Sequence, residues 1–441
     1  MKKLISAIFI IAVLLNIAVF ADPVCPANEN IPQVTGEAAI LMDADTGQIL
    51  YELNAHKKLA PASLAKIMTV LLAIEFNNPN ELVTISLEDT QLNSSEASGT
   101  DSLEVGERVP LIDLMYSSAL ESSNDSTKAI ANFVGGGFDG FLEMMNSRAM
   151  EIGAVNTNFN SCTGLSDSNL YSTAYDLALI TKEGLKHPDF VSLFGVKKYD
   201  AQTTNRNNTR SFSNPHQLIK DGSLQDTRVI AGKTSRTGDA GSVSVTVAQS
   251  GDRTLICVAL KYDETYNMYT EAEKLITYGF DKFIKINLQN FSAERPIYDA
   301  NNSQVGKMIL SLPEYSYVLA HSHVTIDDIT YTENLPPSFT QNNEANALVT
   351  ANLPPISHVS SNASEIKLSK TEQIFVTMPS TPTEDGDNKT EDGGTTFGGV
   401  ILSILKFLAT LILLLFIFLA VVIMYLRYKN TQKRKRRRGI R

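Results

Sequence analysis

At 441 residues, with 43% apolar and 20% charged side chains, the chain is globular rather than disordered as a whole and long enough for two or three structural units. Twelve of its 38 basic residues sit at the two ends, which leaves 26 basic against 48 acidic residues between Asp22 and Thr396, a net −22. A body that acidic repels phosphate backbones, which argues against nucleic acid as a partner. The three cysteines, Cys25, Cys162 and Cys257, show no CxxC spacing and argue against both a disulfide scaffold and a zinc finger.

Met1 to Ala21 reads as an export signal. Lys2 and Lys3 form a charged start, Leu4 to Leu15 is an apolar run broken only by Ser6, and Val19-Phe20-Ala21 offers small residues at the usual cleavage spacing before Asp22. An uncleaved anchor is the alternative. Residues 30–284 form the expected main domain. In it, Ala38-Ala39-Ile40-Leu41-Met42 and Gln48-Ile49-Leu50-Tyr51 flank Asp45-Thr46-Gly47 as a hairpin. Helical periodicity follows in Leu64 to Phe76, Leu111 to Leu120, Phe138 to Ile152 and Thr173 to Leu185. Strands are expected over Val229 to Ser235, Val243 to Ala248 and Thr254 to Leu260, then an amphipathic helix from about Tyr266 to Phe283. Strands at both ends with helices between predict an α+β fold, one antiparallel sheet flanked by helices.

Residues 285–376 predict a small β-rich, sandwich-like domain, with Ser316 to Ala320 and His323 to Ile326 among its strands. His321 and His323 alternate onto one strand face, where surface or core roles are the simpler reading than a metal site with no third ligand. Residues 377–399, rich in Thr, Pro, Gly, Asp and Glu, form a flexible linker. Residues 400–426 are expected to form a transmembrane helix: Phe407 to Leu426 is an apolar run of 20 residues interrupted only by Thr410, about 30 Å as a helix and enough to cross a hydrocarbon core. The basic tail, 427–441, stays cytoplasmic beside that span. The acidic body is therefore expected outside the cell, on a single-pass membrane protein with its tail inside.

Three patches carry chemistry. Ser63-Leu64-Ala65-Lys66 enters a helix, and residues at i and i+3 share one face with β-carbons about 5–6 Å apart. A lysine whose charge is disfavoured can serve as base for a serine nucleophile, and a serine N–H at a helix start faces developing negative charge. Alone, such a pair reads equally as a solvated helix face, and Ser364-Glu365-Ile366-Lys367 repeats the spacing. Ser122-Ser123-Asn124 lies in a turn between helical stretches. Ser122 could relay a proton and Asn124 could bind an amide, or the residues cap a helix; Ser360-Ser361-Asn362 is its decoy. The third patch is Lys233-Thr234-Ser235-Arg236-Thr237, at the end of a strand. Alternation puts Lys233, Ser235 and Thr237 on one side and Thr234 and Arg236 on the other, so a twist or bulge is needed to bring Lys233, Thr234 and Thr237 to one site.

Only the first series has the order and spacing of the S-x-x-K, S-x-N, K-T-G enzymes. With Pro61 to Thr69, Ser122 to Asp125, Gly153 to Phe159, Gly164-Leu165 and Ala240-Gly241, the stretch from Glu37 to Phe283 resembles the D-alanyl-D-alanine carboxypeptidases, the low-molecular-mass penicillin-binding proteins. The resemblance implies a β-lactamase/transpeptidase-like fold and a hydrolase of peptidoglycan stem peptides with β-lactams as inhibitors and no cofactor or metal. It implies Ser63 as nucleophile, Lys66 as its base and Ser122 as proton relay. Asn124 would hold the peptide, Lys233 would maintain positive potential, and Thr234 and Thr237 would bind the terminal carboxylate. The N–H groups of Ser63 and Arg236 would form the oxyanion hole. Ser235 stands where the family has glycine, which leaves a non-catalytic cell-wall binding homologue as the alternative. A β-lactamase is disfavoured because no E-x-x-L-N segment lies between Asn124 and Lys233. Cys162, at an unusual place within Asn160-Ser161-Cys162-Thr163-Gly164, reads as a reactive thiol or, more simply, a partly buried small side chain.

Overall fold

Two runs far apart in sequence, 38–42 and 255–260, are apolar at every position, the pattern of strands covered on both faces. The computed structural model pairs them antiparallel at the centre of a sheet. It describes residues 31–375 apart from 77, 93–100, 166–168, 209, 289–290, 300, 314–315, 335–336, 341–347, 355–362 and 368, and only the backbone of 339–340 and 363–375. The expected export signal, Cys25, the Ser360-Ser361-Asn362 decoy, the linker, the membrane span and the basic tail all lie outside the described residues. Among the described residues, no helix is long and apolar enough to cross a membrane.

In chain order the main domain runs β1 (Ala38–Asp43), β2 (Ile49–Leu53), a single 3-10 turn (Ala62–Ala65), α1 (Lys66–Glu75), β3 (Leu82–Thr84), α2 (Leu87–Thr90), β4 (Arg108–Pro110), α3 (Leu111–Leu120), α4 (Asn124–Gly135) and α5 (Phe138–Ile152). It continues with α6 (Ala174–Gly184), α7 (Pro188–Gly195), β5 (Lys198–Asp200), β6 (Ser211–Ser213), β7 (Val229–Thr237), β8 (Gly241–Ser250), β9 (Arg253–Tyr262) and α8 (Thr265–Lys282). The sheet order is β2-β1-β9-β8-β7, antiparallel throughout. Strand periodicity divides its core between two faces. Ile40, Met42, Ile256 and Val258 meet α1 and α3 to α7 on one side. Leu41, Leu255 and Cys257 meet Met268, Leu275 and Ile276 of α8 on the other. Each such side chain taken from water contributes about 1.5–3 kcal/mol, so the site is built on the best-buried part of the molecule.

The expected sheet and the helices through Leu111, Phe138, Thr173 and Tyr266 are present, with ends shifted by a residue or two. Two helices carry no clear sequence signal. In α4 the segment Asn124 to Thr127 is polar yet buried, so hydrophobic periodicity does not mark it; the helix ends at Gly136, which takes φ +64°. In α7 a proline at the first position starts a helix of only eight residues.

Lys282 ends α8 and Phe283 begins the next strand, so the change to β structure falls at 282–283. This part comprises β10 (Phe283–Asn287), β11 (Ser292–Tyr298), β12 (Gln304–Ser311), β13 (Tyr317–His321), β14 (Thr330–Asn334), β15 (Phe339–Thr340), β16 (Leu348–Asn352), β17 (Ala363–Lys367) and β18 (Ser369–Phe375). They form sheets β10-β13, β15-β11-β12-β18 and β14-β16-β17. The expected strand at His323 to Ile326 is not formed. Thr325 instead caps a 3-10 turn over Ile326–Asp328, its N–H and hydroxyl both donating to Asp328 Oδ2 at 2.8 Å, and such local bonds compete with strand pairing. His321 is buried, with its ring against Phe283 and His323, a core histidine. Ser364 and Lys367 fall in β17, where a three-residue spacing does not share a face.

Candidate active site

Pro61 and the 3-10 turn deliver Ser63 to the start of α1, so Ser63 and Lys66 lie one turn apart. Ala62, immediately before the serine, takes φ +48°, a conformation costly for a residue with a β-carbon. Ser63 is 7% exposed and Lys66 fully buried. Lys66 Nζ donates to Ser63 Oγ at 3.3 Å, to Asn124 Oδ1 at 2.9 Å and to the Thr163 carbonyl at 2.7 Å. An ammonium has three protons. When it loses one, the two short contacts retain donors and the longest, to Ser63, is where the lone pair can point. The neutral amine is then a base aimed at the serine hydroxyl.

The second patch reaches the same place from α3 and α4. Asn124 is the first residue of α4, and its amide oxygen lies on Lys66. Ser122 sits in the intervening turn at φ +58°. Lys233, from the middle of β7, donates to Ser122 Oγ and to the Ala119 carbonyl, the latter at 2.9 Å. Ala119 lies in the last turn of α3, where carbonyls lack helical partners and a cation is favoured. Burial first, then the Lys66 charge, pushes Lys233 well below the ordinary lysine range. Two ammonium groups in this dry pocket are thus harder to hold than one.

The third patch is only partly gathered in. The register of β7 against β8 runs unbroken from Ala231↔Val247 to Thr237↔Gly241, and the one irregularity, between Val229 and Ala231, precedes Lys233. No bulge brings Thr234 round to the Lys233 side. The Thr234 hydroxyl donates to the Val243 carbonyl at 3.2 Å and also bonds Tyr269 of α8. The Arg236 guanidinium reaches Thr265 at 3.1 Å, also on α8, and Ser242 at 3.4 Å. Thr237 accepts from the Ala240 N–H at 3.1 Å. The structure therefore brings together Ser63, Lys66, Ser122, Asn124 and Lys233, while the side chains of Thr234 and Arg236 engage the opposite layer. Ser235 pairs with Val243 within the regular ladder, so a side chain in place of glycine is accommodated without distortion.

Several contributors have no signature in sequence. Thr163 acts through its carbonyl, and Thr69 Oγ1 holds the neighbouring Cys162 carbonyl at 2.9 Å. Ser161 Oγ accepts from the N–H groups of Thr163 and Gly164 at 3.3 and 3.2 Å, which closes the turn. Gly164, at φ +83°, lies so near that a β-carbon there would stand 2.0 Å from the Ala62 carbonyl oxygen. The Cys162 side chain is buried, in keeping with its simpler reading.

Behind the Ser122 turn, Asp125 accepts from the N–H groups of Asp101, Leu103 and Ser126 at 2.9–3.0 Å. Asp101 takes Ser126 Oγ at 2.7 Å and Ser117 Oγ on one carboxylate oxygen. Burial above all, with Asp125 adding to it, raises Asp101 to about 6 against the pull of its two serines and Arg210. Arg210 also pairs in bidentate fashion with the buried Glu107, at 2.8 and 2.9 Å.

Comparison with known proteins agrees with this arrangement. The family model described as D-alanyl-D-alanine carboxypeptidase matches residues 26–264. The chain is 30% identical over 286 residues to the D-alanyl-D-alanine carboxypeptidase DacF of Bacillus subtilis, covering 64% of this chain and 72% of that one. It is 28% identical over 319 residues to DacD of Escherichia coli, covering 68% and 80%. Among solved structures, penicillin binding protein 5 from Haemophilus influenzae superposes with a TM-score of 0.61 at 23% identity, covering 78% of this chain and all of that one. The carboxypeptidase DacD from Francisella tularensis does so with a TM-score of 0.58 at 21% identity, covering 79% and 96%. The last two speak for the fold.

Proposed function

We propose, from the premise that this chain belongs to the D-alanyl-D-alanine carboxypeptidase family, that the cluster around Ser63 is its hydrolytic centre. The protein is a serine-type D-Ala-D-Ala carboxypeptidase, a penicillin-binding protein that acts on peptidoglycan peptides. The observation that carries the assignment of the centre is the convergence of Ser63, Lys66, Ser122, Asn124 and Lys233 from the starts of α1 and α4, the turn between α3 and α4, and β7.

Ser63 Oγ adds to the carbonyl carbon between the two terminal D-alanines while its proton passes to Lys66 Nζ. The carbonyl oxygen becomes an oxyanion, received by the Ser63 N–H at the helix start and by the Arg236 N–H; one such donor is worth about 3–4 kcal/mol. The C–N bond then breaks, and Ser122, hydrogen-bonded to Lys233, relays the proton: it gives its own to the departing amine of D-alanine and takes in exchange the one that Lys66 removed from Ser63. An ester on Ser63 remains, and water cleaves it. Asn124 keeps Lys66 in register and presents its amide to the peptide. Lys233 maintains positive potential beside Ser122, and Thr237, on the same face of β7, receives the terminal carboxylate. Thr234, its hydroxyl turned to Tyr269, takes part through its place in β7, the edge strand whose backbone can pair an extended peptide. A penicillin offers the same acyl group and stays on Ser63.

The domain limits and the cellular placement belong to the same proposal. Export through residues 1–21, a β-rich spacer over 285–376, a linker over 377–399 and an anchor over 400–426 put the site on the wall side of the membrane, with 427–441 inside.

The test is release of free D-alanine from a pentapeptide ending in D-Ala-D-Ala. Wild type should release it and bind a fluorescent penicillin covalently; Ser63→Ala should do neither. Release by Ser63→Ala at the wild-type rate would sink the assignment.

A further inference from the structure

Ser122 and Asn124 reach the site from a turn of three residues, 121–123, between two helices, and Ser122 within it holds a conformation disfavoured for its type. Such a residue keeps its conformation only when its surroundings over-determine it. Two hydroxyl pairs face each other from α3 and α4 across the turn: the Ser117 and Ser126 oxygens lie 3.0 Å apart, and Ser118 bonds Thr127 at 2.8 Å. Asp101 belongs to neither helix. Its Oδ2 receives both members of the first pair, and its N–H donates to Ser123 Oγ at 3.1 Å and Asp125 Oδ1 at 3.0 Å. Asp101 is itself held from outside, since Arg210 Nε donates to its carbonyl at 3.2 Å.

We propose that Asp101 is a positioning residue for this reaction, its carboxylate clamping α3 to α4 and so fixing the turn that presents Ser122 to Lys233 and Asn124 to Lys66. Bonds to a carboxylate are roughly twice as strong as those between hydroxyls alone, so Asp101 stiffens a bridge that the serines by themselves would leave loose. The raised titration of Asp101 is in keeping with this: a charge is retained beside Asp125 where a neutral group would sit more easily. The proposal rests on the reading of Ser63 as nucleophile and of Ser122 and Asn124 as its partners.

The experiment measures D-alanine release by the full chain as wild type, Asp101→Ala, Asp101→Asn and Ser63→Ala, at a temperature where circular dichroism shows each folded. A loosened turn displaces groups that act in the transition state, and a shift near 1 Å costs about 100-fold in rate. Asp101→Ala should therefore lose about 10-fold or more in kcat with KM within about twofold. Asp101→Asn keeps an oxygen for both serines but loses the charge, and its kcat should fall between those of wild type and Asp101→Ala. Should Asp101→Ala not fold, the double change Ser117→Ala with Ser126→Ala removes the donors instead and should give the same loss of kcat. An active wild type with a folded Asp101→Ala of unchanged kcat, or an Asn variant as impaired as the Ala variant, overturns this proposal alone. A wild type that releases nothing overturns the reading of the site and this proposal with it.

Discussion

Gly164→Ala tests how closely the loop through Thr163 must sit on the nucleophile. The new β-carbon would lie 2.0 Å from the Ala62 carbonyl oxygen and 3.0 Å from Ser63 N, and contacts under 3.0 Å are essentially never realised. Loop and turn must separate by at least about 1 Å, a displacement that typically costs about 100-fold in rate, or about 3 kcal/mol in the transition state. The same separation draws the Thr163 carbonyl away from Lys66, which it holds at 2.7 Å. Alanine at φ +83° adds a folding cost of about 1–2 kcal/mol, so stability must be followed in parallel. The assay is the second-order rate of acylation by a fluorescent penicillin, with a thermal scan of each protein. Acylation within threefold of wild type, in a protein that melts at the wild-type temperature, would refute the argument that this glycine sets the nucleophile.

Arg210→Met should strand the buried Glu107. Burial alone would raise that carboxyl, but Arg210, Thr204 and the Glu104 N–H outweigh it and hold Glu107 at about 2, below the usual 4.5. That depression is worth about 3 kcal/mol of stability, present above pH 4.5 and lost as the pH falls through about 2. Urea unfolding at pH 7 should show a loss of at most that order, since Thr204 and the Glu104 N–H remain, largely recovered by adding Glu107→Gln; a loss below about 1 kcal/mol contradicts the account. Asp101→Asn should act in the opposite sense. A carboxyl raised from 3.8 to about 6 binds its proton more tightly folded than unfolded, so its contribution is favourable at low pH and falls away as pH rises through about 6. The variant should exceed wild type by up to about 3 kcal/mol at pH 7.5, with the gap closing toward pH 4. A gap that does not change with pH would show that Asp101 is not the group concerned.

What the sequence alone determines is the fold of the main domain and the identity of five chemical groups. Unbroken apolar runs mark β1 and β9, which are covered on both faces, and alternation of valine with small polar residues marks β8. The order of Ser63, Lys66, Ser122, Asn124 and Lys233 singles out one series over the decoys because helix spacing and turn residues are local properties. The decoy at Ser364 and Lys367 also lies on a strand, which its three-residue spacing by itself does not reveal. Tertiary structure decides the rest. Whether Thr234 and Arg236 face the nucleophile depends on the absence of a bulge within β7 after Lys233 and on partners in α8, more than twenty-five residues away. The carbonyls of Thr163 and Ala119 are chosen by position, and every residue has a carbonyl. Asp101 and Glu107 act only because folding removes them from water and sets Ser117, Ser126 and Arg210 beside them. Charge in a dry interior is governed by its neighbours, and the chain acquires those neighbours only when it folds.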